Sequence, residues 1–143
     1  IMWQTRLDAR MSMKPAIVVN HNTGERELFV QDEGNTIYLI NDVGRILWKL
    51  PIEGKINSEV YQVDMFKNGK LQYLFSTPSH LYLIDRNGNY LPRFPLAFKS
   101  SCEQGISVAD YENNKNYRVF APGVDHHVYL YELSGNFVGC AKE

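Results

Sequence analysis

One pattern that recurs three times constrains the fold of this chain more than any other feature of the sequence. Apolar runs that contain a tyrosine and lead into a glycine turn begin at Ile37, Leu81 and Val128, 44 and 47 residues apart. A second set of apolar runs begins at Ala16, Val60 and Ile106, 44 and 46 residues apart. Two independent landmarks with nearly the same spacing indicate an internal repeat of about 40 to 50 residues.

Each repeat divides into four short strands joined by tight turns. The link between the first and second strands reads NHNTGE, FKNGK or YENNKN, and asparagine and glycine adopt the positive φ of hairpin turns at little cost. The link between the third and fourth strands places a glycine before the last strand, at Gly44, Gly88 and Gly135. No segment shows the 3.6-residue apolar period of an amphipathic helix. The sequence therefore predicts an all-β chain.

The third strand of the repeat is apolar on both faces. In IYLI, Ile37 and Leu39 point to one side while Tyr38 and Ile40 point to the other, and LYLI repeats this pattern. A sheet with one wet face would alternate apolar and polar residues, whereas a blade between two neighbouring blades is covered on both sides. Four strands per repeat are typical of a propeller blade. We therefore predict a β-propeller fragment of about three four-stranded antiparallel blades plus an outer strand of a preceding blade.

The extra strand is inferred from tryptophan spacing. Trp3 lies thirteen residues before Ala16 and Trp48 lies twelve before Val60, so residues 1 to about 7 are expected to form the outer strand of a preceding blade. The boundaries expected within one partial propeller, 1–143, are the outer strand and linker at 1–14 and blades at 15–58, 59–104 and 105–143. Closed propellers have typically 4 to 8 blades, and an open arc would expose large apolar faces. We expect a fragment of a longer propeller or several copies that close a ring together.

Charge and composition argue against several functions. The 15 basic and 16 acidic residues leave a net charge of −1, which does not indicate nucleic-acid binding or a polybasic membrane patch. No apolar stretch approaches the roughly 20 residues of a membrane span. Cys102 and Cys140 are too few and too far apart for a metal knuckle. We expect two unpaired, partly buried thiols, with a disulfide as the alternative.

The stretch YLINDVGRILWK resembles the repeat of the pyrroloquinoline-quinone-type β-propellers. In that repeat a strand ends in an Asp-containing turn, a Gly follows, and a Trp comes four residues later, as do Asp42, Gly44 and Trp48 here. LYLIDRNGNYLPRFPL is similar to blades of uncharacterised exported propeller proteins of Gram-negative bacteria, although Pro92 and Gly139 replace the Trp in the later blades. The resemblance implies a periplasmic or extracellular protein. Its relatives are either quinoprotein dehydrogenases, which bind quinone and a divalent metal, or cofactor-free scaffolds.

The loops between the second and third strands contain the candidate binding residues. These are Glu33, His80, Asp125, His126 and His127. Imidazole and carboxylate are suitable metal ligands. Adjacent histidines at a strand edge point to opposite faces, however, so the favoured interpretation is a set of solvated turn residues without a metal.

Other polar and aromatic residues give weaker signals. Asn20, Asp64 and Asp110 share one position late in the first strand and are expected to cap the hairpin that follows, although they could face a central channel. Three tyrosines outside the repeated core positions are weak candidates for stacking on sugars: Tyr61, Tyr111 and Tyr131. No nucleophile motif or phosphate-binding glycine loop occurs, and no catalytic residue is predicted.

The sequence thus predicts a non-catalytic scaffold that binds a protein or a glycan through one loop face. It predicts no cofactor, no nucleic-acid partner and no membrane span. The alternative is part of a catalytic propeller, of quinoprotein or hydrolase type, with most of its active site outside this segment.

Overall fold

The computed structural model describes residues 3–110, 112–134 and 137–142, without the side chains of 137 and 140–142. This part of the chain contains no α-helix, and so none that could cross a membrane. Its strands are β1 Ala16–Val19, β2 Arg26–Gln31, β3 Thr36–Ile40, β4 Ile46–Pro51, β5 Tyr61–Val63, β6 Gln72–Ser76, β7 His80–Ile84, β8 Leu96–Ala97, β9 Ser107–Ala109, β10 Arg118–Pro122, β11 His127–Glu132 and β12 Phe137–Lys142.

The strands form three four-stranded antiparallel meanders. β1 to β4, β5 to β8 and β9 to β12 each lie in sequence order, so each strand pairs with the next one along the chain. The first two strands pair similarly in two of the sheets: Ala16 lies opposite Phe29 in the first, and Tyr61, one residue after the landmark Val60, lies opposite Leu74 in the second. The predicted fold class is confirmed as an all-β chain with three four-stranded antiparallel sheets in the described residues.

The chain divides into two compact units, Ile1–Lys55 with the first sheet and Ile56–Glu143 with the second and third. In the second unit the two sheets share one hydrophobic cluster, in which Leu83 of β7, Val119 of β10 and Tyr131 of β11 are at most 1% exposed. Burying a large apolar side chain stabilises a fold by about 1.5 to 3 kcal/mol. The packing of these two successive blades on each other is therefore a main source of stability in this unit.

In the first unit, one face of the sheet packs on the segment that precedes it. Val30, Tyr38 and Ile40 are buried together, and Leu7 packs against them. The indole N–H of Trp3 donates to the backbone carbonyl of Asp42 at 2.9 Å. The segment before β1 thus runs along the sheet of its own unit.

The outer strand predicted over residues 1 to about 7 is not a strand in the described residues 3–7. The physical reason is that this segment is held by side chains and turns instead of by a strand ladder. The Thr5 hydroxyl donates to the carbonyl of Gly44, and a Cβ at Gly44 would collide with the Trp3 ring. Further along, Met11 forms an isolated β-bridge with Asp32.

Burial of the third strand follows the prediction in two sheets of three. All residues of 37–40 and 81–84 are at most 4% exposed, so both faces of these strands are covered. In β11, by contrast, residues 128–130 are only half-buried. The hydrophobic cluster of the second unit reaches β11 through Tyr129 and Tyr131, which share one face of the strand.

The fourth strand of the second sheet lies later than the sequence predicts. The repeat predicts it directly after Gly88, but the strand is Leu96–Ala97. Tyr90 forms one isolated bridge with β7. Pro92 has no N–H to donate, and Arg93 has a φ of 74°, so the ladder is interrupted before β8.

Candidate functional site: the loop face

The structure places the five candidate binding residues in two different units. Glu33 belongs to the first unit, and His80, Asp125, His126 and His127 belong to the second. The Glu33 side chain is exposed, while its backbone is fixed, because its carbonyl accepts the Lys55 ammonium at 2.6 Å. Glu33 is thus presented on a well-anchored turn.

Next to Glu33, the structure shows a buried pair that sequence reasoning missed. The Tyr38 hydroxyl donates to the Asp32 carboxylate at 2.6 Å. The same carboxylate also accepts hydrogen bonds from the backbone N–H groups of Gly34 and Thr36, at 2.9 and 3.0 Å. Burial alone would raise the pKa of Asp32, but these hydrogen bonds outweigh it and lower that pKa. Burial and the bond to Asp32 raise the pKa of Tyr38 to about 12. The sequence signal that could have predicted this pair is an Asp in the turn six residues before a Tyr of the core.

In the second unit, the link between the sheets runs between the two candidate loops. The N–H of Cys102 donates to the carbonyl of Pro78 at 2.8 Å, and the N–H of Val124 donates to the carbonyl of Ser101 at 3.0 Å. The link is therefore hydrogen-bonded to the loops on both of its sides. We call these three segments the loop platform: residues 77–80, 98–102 and 122–127.

A polar network anchors this platform. The Ser76 hydroxyl donates to the Asn57 side-chain oxygen at 2.7 Å, and the Asn57 amide donates to the carbonyl of Cys102 at 2.7 Å. The N–H of Ile106 donates to the Ser76 hydroxyl at 3.2 Å. Gly105, with a φ of +84°, lies so close to the Asn57 carbonyl that a Cβ would collide with it. These bonds tie the platform, through the carbonyl of Cys102, to Asn57 and Ser76 in the body of the unit.

His80 lies at one side of the platform and is half-buried. Its Nδ1 is 2.7 Å from the Ser79 hydroxyl, and its backbone N–H donates to the Thr77 hydroxyl at 3.2 Å. The imidazole is 6.3 Å from the Tyr82 ring, centroid to centroid. His80 therefore stabilises its own turn as well as lining the platform.

Asp125 and His127 come together at the other side. The Asp125 carboxylate accepts the Tyr129 hydroxyl, and His127 Nδ1 lies 3.6 Å from it. The Tyr129 bond, which outweighs burial, lowers the pKa of Asp125. His126 is exposed at the left-handed position of the turn, with a φ of 67°. Within the described residues, no group of three or more His, Cys, Asp and Glu side chains could hold a metal.

Asn20, Asp64 and Asp110 cap the first hairpin of each sheet, which confirms the favoured interpretation. The Asn20 side-chain oxygen accepts an N–H two residues later at 2.9 Å. The Asp64 carboxylate accepts the backbone N–H groups four and five residues later, at 3.0 and 2.9 Å. The Asp110 carboxylate accepts the equivalent two N–H groups at 3.1 and 3.0 Å.

Sequence reasoning missed an ion pair at one of these caps. The Lys115 ammonium lies 2.7 Å from the carboxylate of Asp64, which is 2% exposed. The hydrogen bond from Lys115, which outweighs burial, lowers the pKa of Asp64 to about 2. The partners are far apart in sequence, so no local signal pointed to the pair.

The remaining tyrosine and cysteine predictions have mixed outcomes. Tyr131 is wrong as a sugar-stacking candidate, because it is 1% exposed within the core. Tyr61 packs partly buried against the same core, and Tyr111 lies outside the described residues. Cys102 is a free, buried thiol whose pKa burial raises, whereas the Cys140 side chain is outside the description.

Comparison with known proteins gives a distant structural likeness. No family model and no curated protein matches the chain. A solved structure, the crystal structure of BBS1N in complex with ARL6DN soaked with lead, is similar with a TM-score of 0.45 at 12% identity. The similarity covers 94% of this chain and 56% of that one. The function therefore has to be inferred from this chain's own residues.

Proposed function

We propose that this chain is a non-catalytic interaction module that binds a protein partner through the loop platform. The carrying observation is that the platform presents exposed side chains on a backbone fixed by hydrogen bonds, such as those from Cys102 to Pro78 and from Val124 to Ser101. Binding to a fixed backbone avoids the entropy cost of ordering loops. A rigid scaffold that positions loops is a common basis for recognition.

The chemistry of the platform suits a protein surface. Val124 is 58% exposed, and exposed Asp125 and His126 follow it directly. An apolar contact residue bordered by polar groups is the usual arrangement of a protein interface. The resemblance to exported pyrroloquinoline-quinone-type propellers supports a periplasmic or extracellular location for this binding.

Site-specific photo-crosslinking tests the proposal. A photoreactive phenylalanine analogue replaces Val124 in one version of the protein and Phe66 in another. Phe66 is a matched control, since it is 56% exposed in the hairpin between β5 and β6, at the opposite edge of the same unit. We expect a discrete protein adduct from position 124 and none from position 66.

A pair of charge substitutions makes the test quantitative. Val124→Glu should reduce capture of the crosslinked partner at least tenfold, whereas Phe66→Glu should leave it unchanged, because a charge at the centre of an interface is costly to bury. Circular dichroism melts check that both variants are folded. Equal capture by the two variants would rule out the platform as the binding surface.

A further inference from the structure

The second unit contains a cleft at the ends of its strands that lie opposite the loop platform, beside the hairpins that join β5 to β6 and β9 to β10. Its volume is about 350 Å³, within the range of about 300 to 1,000 Å³ typical of small-molecule sites. We call it the hairpin cleft, and its lining includes Met65, Lys115, Asn116, Tyr117, Arg118 and Glu132. A smaller hollow of about 80 Å³ adjoins it through Asn116 and Arg118.

The charges of the hairpin cleft are balanced by ion pairs. Lys115 lies 2.7 Å from Asp64, and Arg118 lies 3.3 Å from Glu132. Each cation of the lining, Lys115 and Arg118, therefore already has a carboxylate partner, which weakens its attraction for an anionic ligand. A neutral ligand suits this charge distribution better than a phosphate or a carboxylate.

The cleft offers both hydrogen-bond donors and hydrogen-bond acceptors. The Arg118 guanidinium has five N–H donors, and the Glu132 carboxylate has about four acceptor sites, so their single mutual contact leaves capacity on both. Both side chains are about 40% exposed. The Asn116 amide both donates and accepts, and this side chain is exposed. Sugar hydroxyls, which also donate and accept, match such a lining.

The apolar part of the lining is held in place. The Tyr117 hydroxyl accepts the backbone N–H of Asp64 at 3.1 Å. Tyr117 and Met65 both line the cleft and both pack, partly buried, against the core of this unit. Saccharides present apolar C–H faces between their hydroxyls, and an aromatic ring can cover such a face. We propose that the hairpin cleft is a binding site for a neutral saccharide of one or two sugar units.

Titration of the purified chain, followed by saturation-transfer NMR, tests this proposal. The probes are glucose, galactose, maltose, cellobiose and lactose, with glucose 6-phosphate as the charged comparison. We expect at least one neutral sugar to bind at concentrations up to about 10 mM, and more tightly than glucose 6-phosphate. Binding of no neutral sugar, or tighter binding of the phosphate, would overturn the proposal.

Variants locate the bound sugar. Asn116→Ala and Arg118→Gln should each weaken binding by roughly 5- to 10-fold, as expected for the loss of one or two hydrogen bonds. Asn116 is exposed, so its truncation leaves the fold intact. Val124→Glu, on the loop platform, should leave sugar binding unchanged, which separates this site from the proposed protein interface. Unchanged binding by Asn116→Ala and Arg118→Gln would place the sugar elsewhere and refute the site.

Discussion

At the scale of single residues, Gly105 decides how closely two backbone segments of the second unit can approach. Its φ of +84° is one that side chains with a Cβ rarely adopt, and a Cβ would also collide with the carbonyl of Asn57. That carbonyl belongs to the residue whose side chain holds Cys102 in the loop platform. Gly105 therefore links local backbone conformation to the shape of the proposed binding surface.

Gly105→Ala should destabilise the protein much more than Gly69→Ala. Gly69 has nearly the same φ, +82°, but open space where its Cβ would lie. The left-handed conformation alone should cost Gly69→Ala about 1 to 2 kcal/mol, and overpacking should add about 1 to 3 kcal/mol at Gly105. Urea unfolding of both variants measures the difference. Equal losses of stability would mean that the contact with Asn57 relaxes freely.

Sequence reasoning at this scale succeeded where the partner is local and failed where it is distant. The hairpin caps at Asp64 and Asp110 were predictable, because each carboxylate bonds N–H groups four and five residues later. The ion pair of Asp64 with Lys115 was not, since 51 positions separate the partners. The placement of Asp125 against His127 and Tyr129 lay between these cases, because the residues are close in sequence but their side-chain directions depend on the turn.

At the scale of elements, the third strand shows how burial differs between equivalent positions. Leu83 and Leu130 occupy the same position in β7 and β11, yet Leu83 is fully buried and Leu130 only half-buried. Leu83→Ala should therefore cost about 2 to 5 kcal/mol, and Leu130→Ala about half as much or less. Chemical denaturation measures both. Similar costs would show that β11 is as well packed as β7.

The same strands show what a repeat can and cannot predict. The period located the first three strands of each sheet, because those strands follow the apolar pattern. It did not locate β8, because Pro92 and the left-handed backbone at Arg93 displace the ladder to Leu96–Ala97. Half-burial of residues 128–130 was also missed, since an apolar sequence shows that a strand can be covered but not how completely it is.

At the scale of the whole molecule, stability should be nearly constant between about pH 4 and pH 9 and fall on both sides. The buried Cys102 thiol, whose pKa burial raises from 9.0, begins to lose its contribution above pH 9. On the acid side, the pKa of Asp64 is lowered from 3.8 to about 2, so its stabilising effect is complete above pH 3.8 and is lost as pH falls towards 2. On the alkaline side, the pKa of Tyr38 is raised from 10 to about 12. Its contribution is complete below pH 10 and is lost as pH rises towards 12.

Thermal melts of Asp64→Asn and Tyr38→Phe between pH 2 and pH 12 distinguish the acid loss of stability from the alkaline loss. Asp64→Asn has no carboxyl to protonate, so its melting temperature should be lower at pH 7 but decline less between pH 4 and pH 2. Tyr38→Phe should lose part of the decline above pH 10. It also removes a hydrogen bond that lowers the pKa of Asp32, so the acid decline should become somewhat smaller too. A decline above pH 10 will persist in this variant, because burial also raises the pKa of Tyr61, Tyr90 and Tyr131. If either variant kept the full wild-type slope in its own pH range, the assigned group would not control stability there. The hydrogen bond from Lys115 to Asp64, or from Tyr38 to Asp32, would then not form in solution.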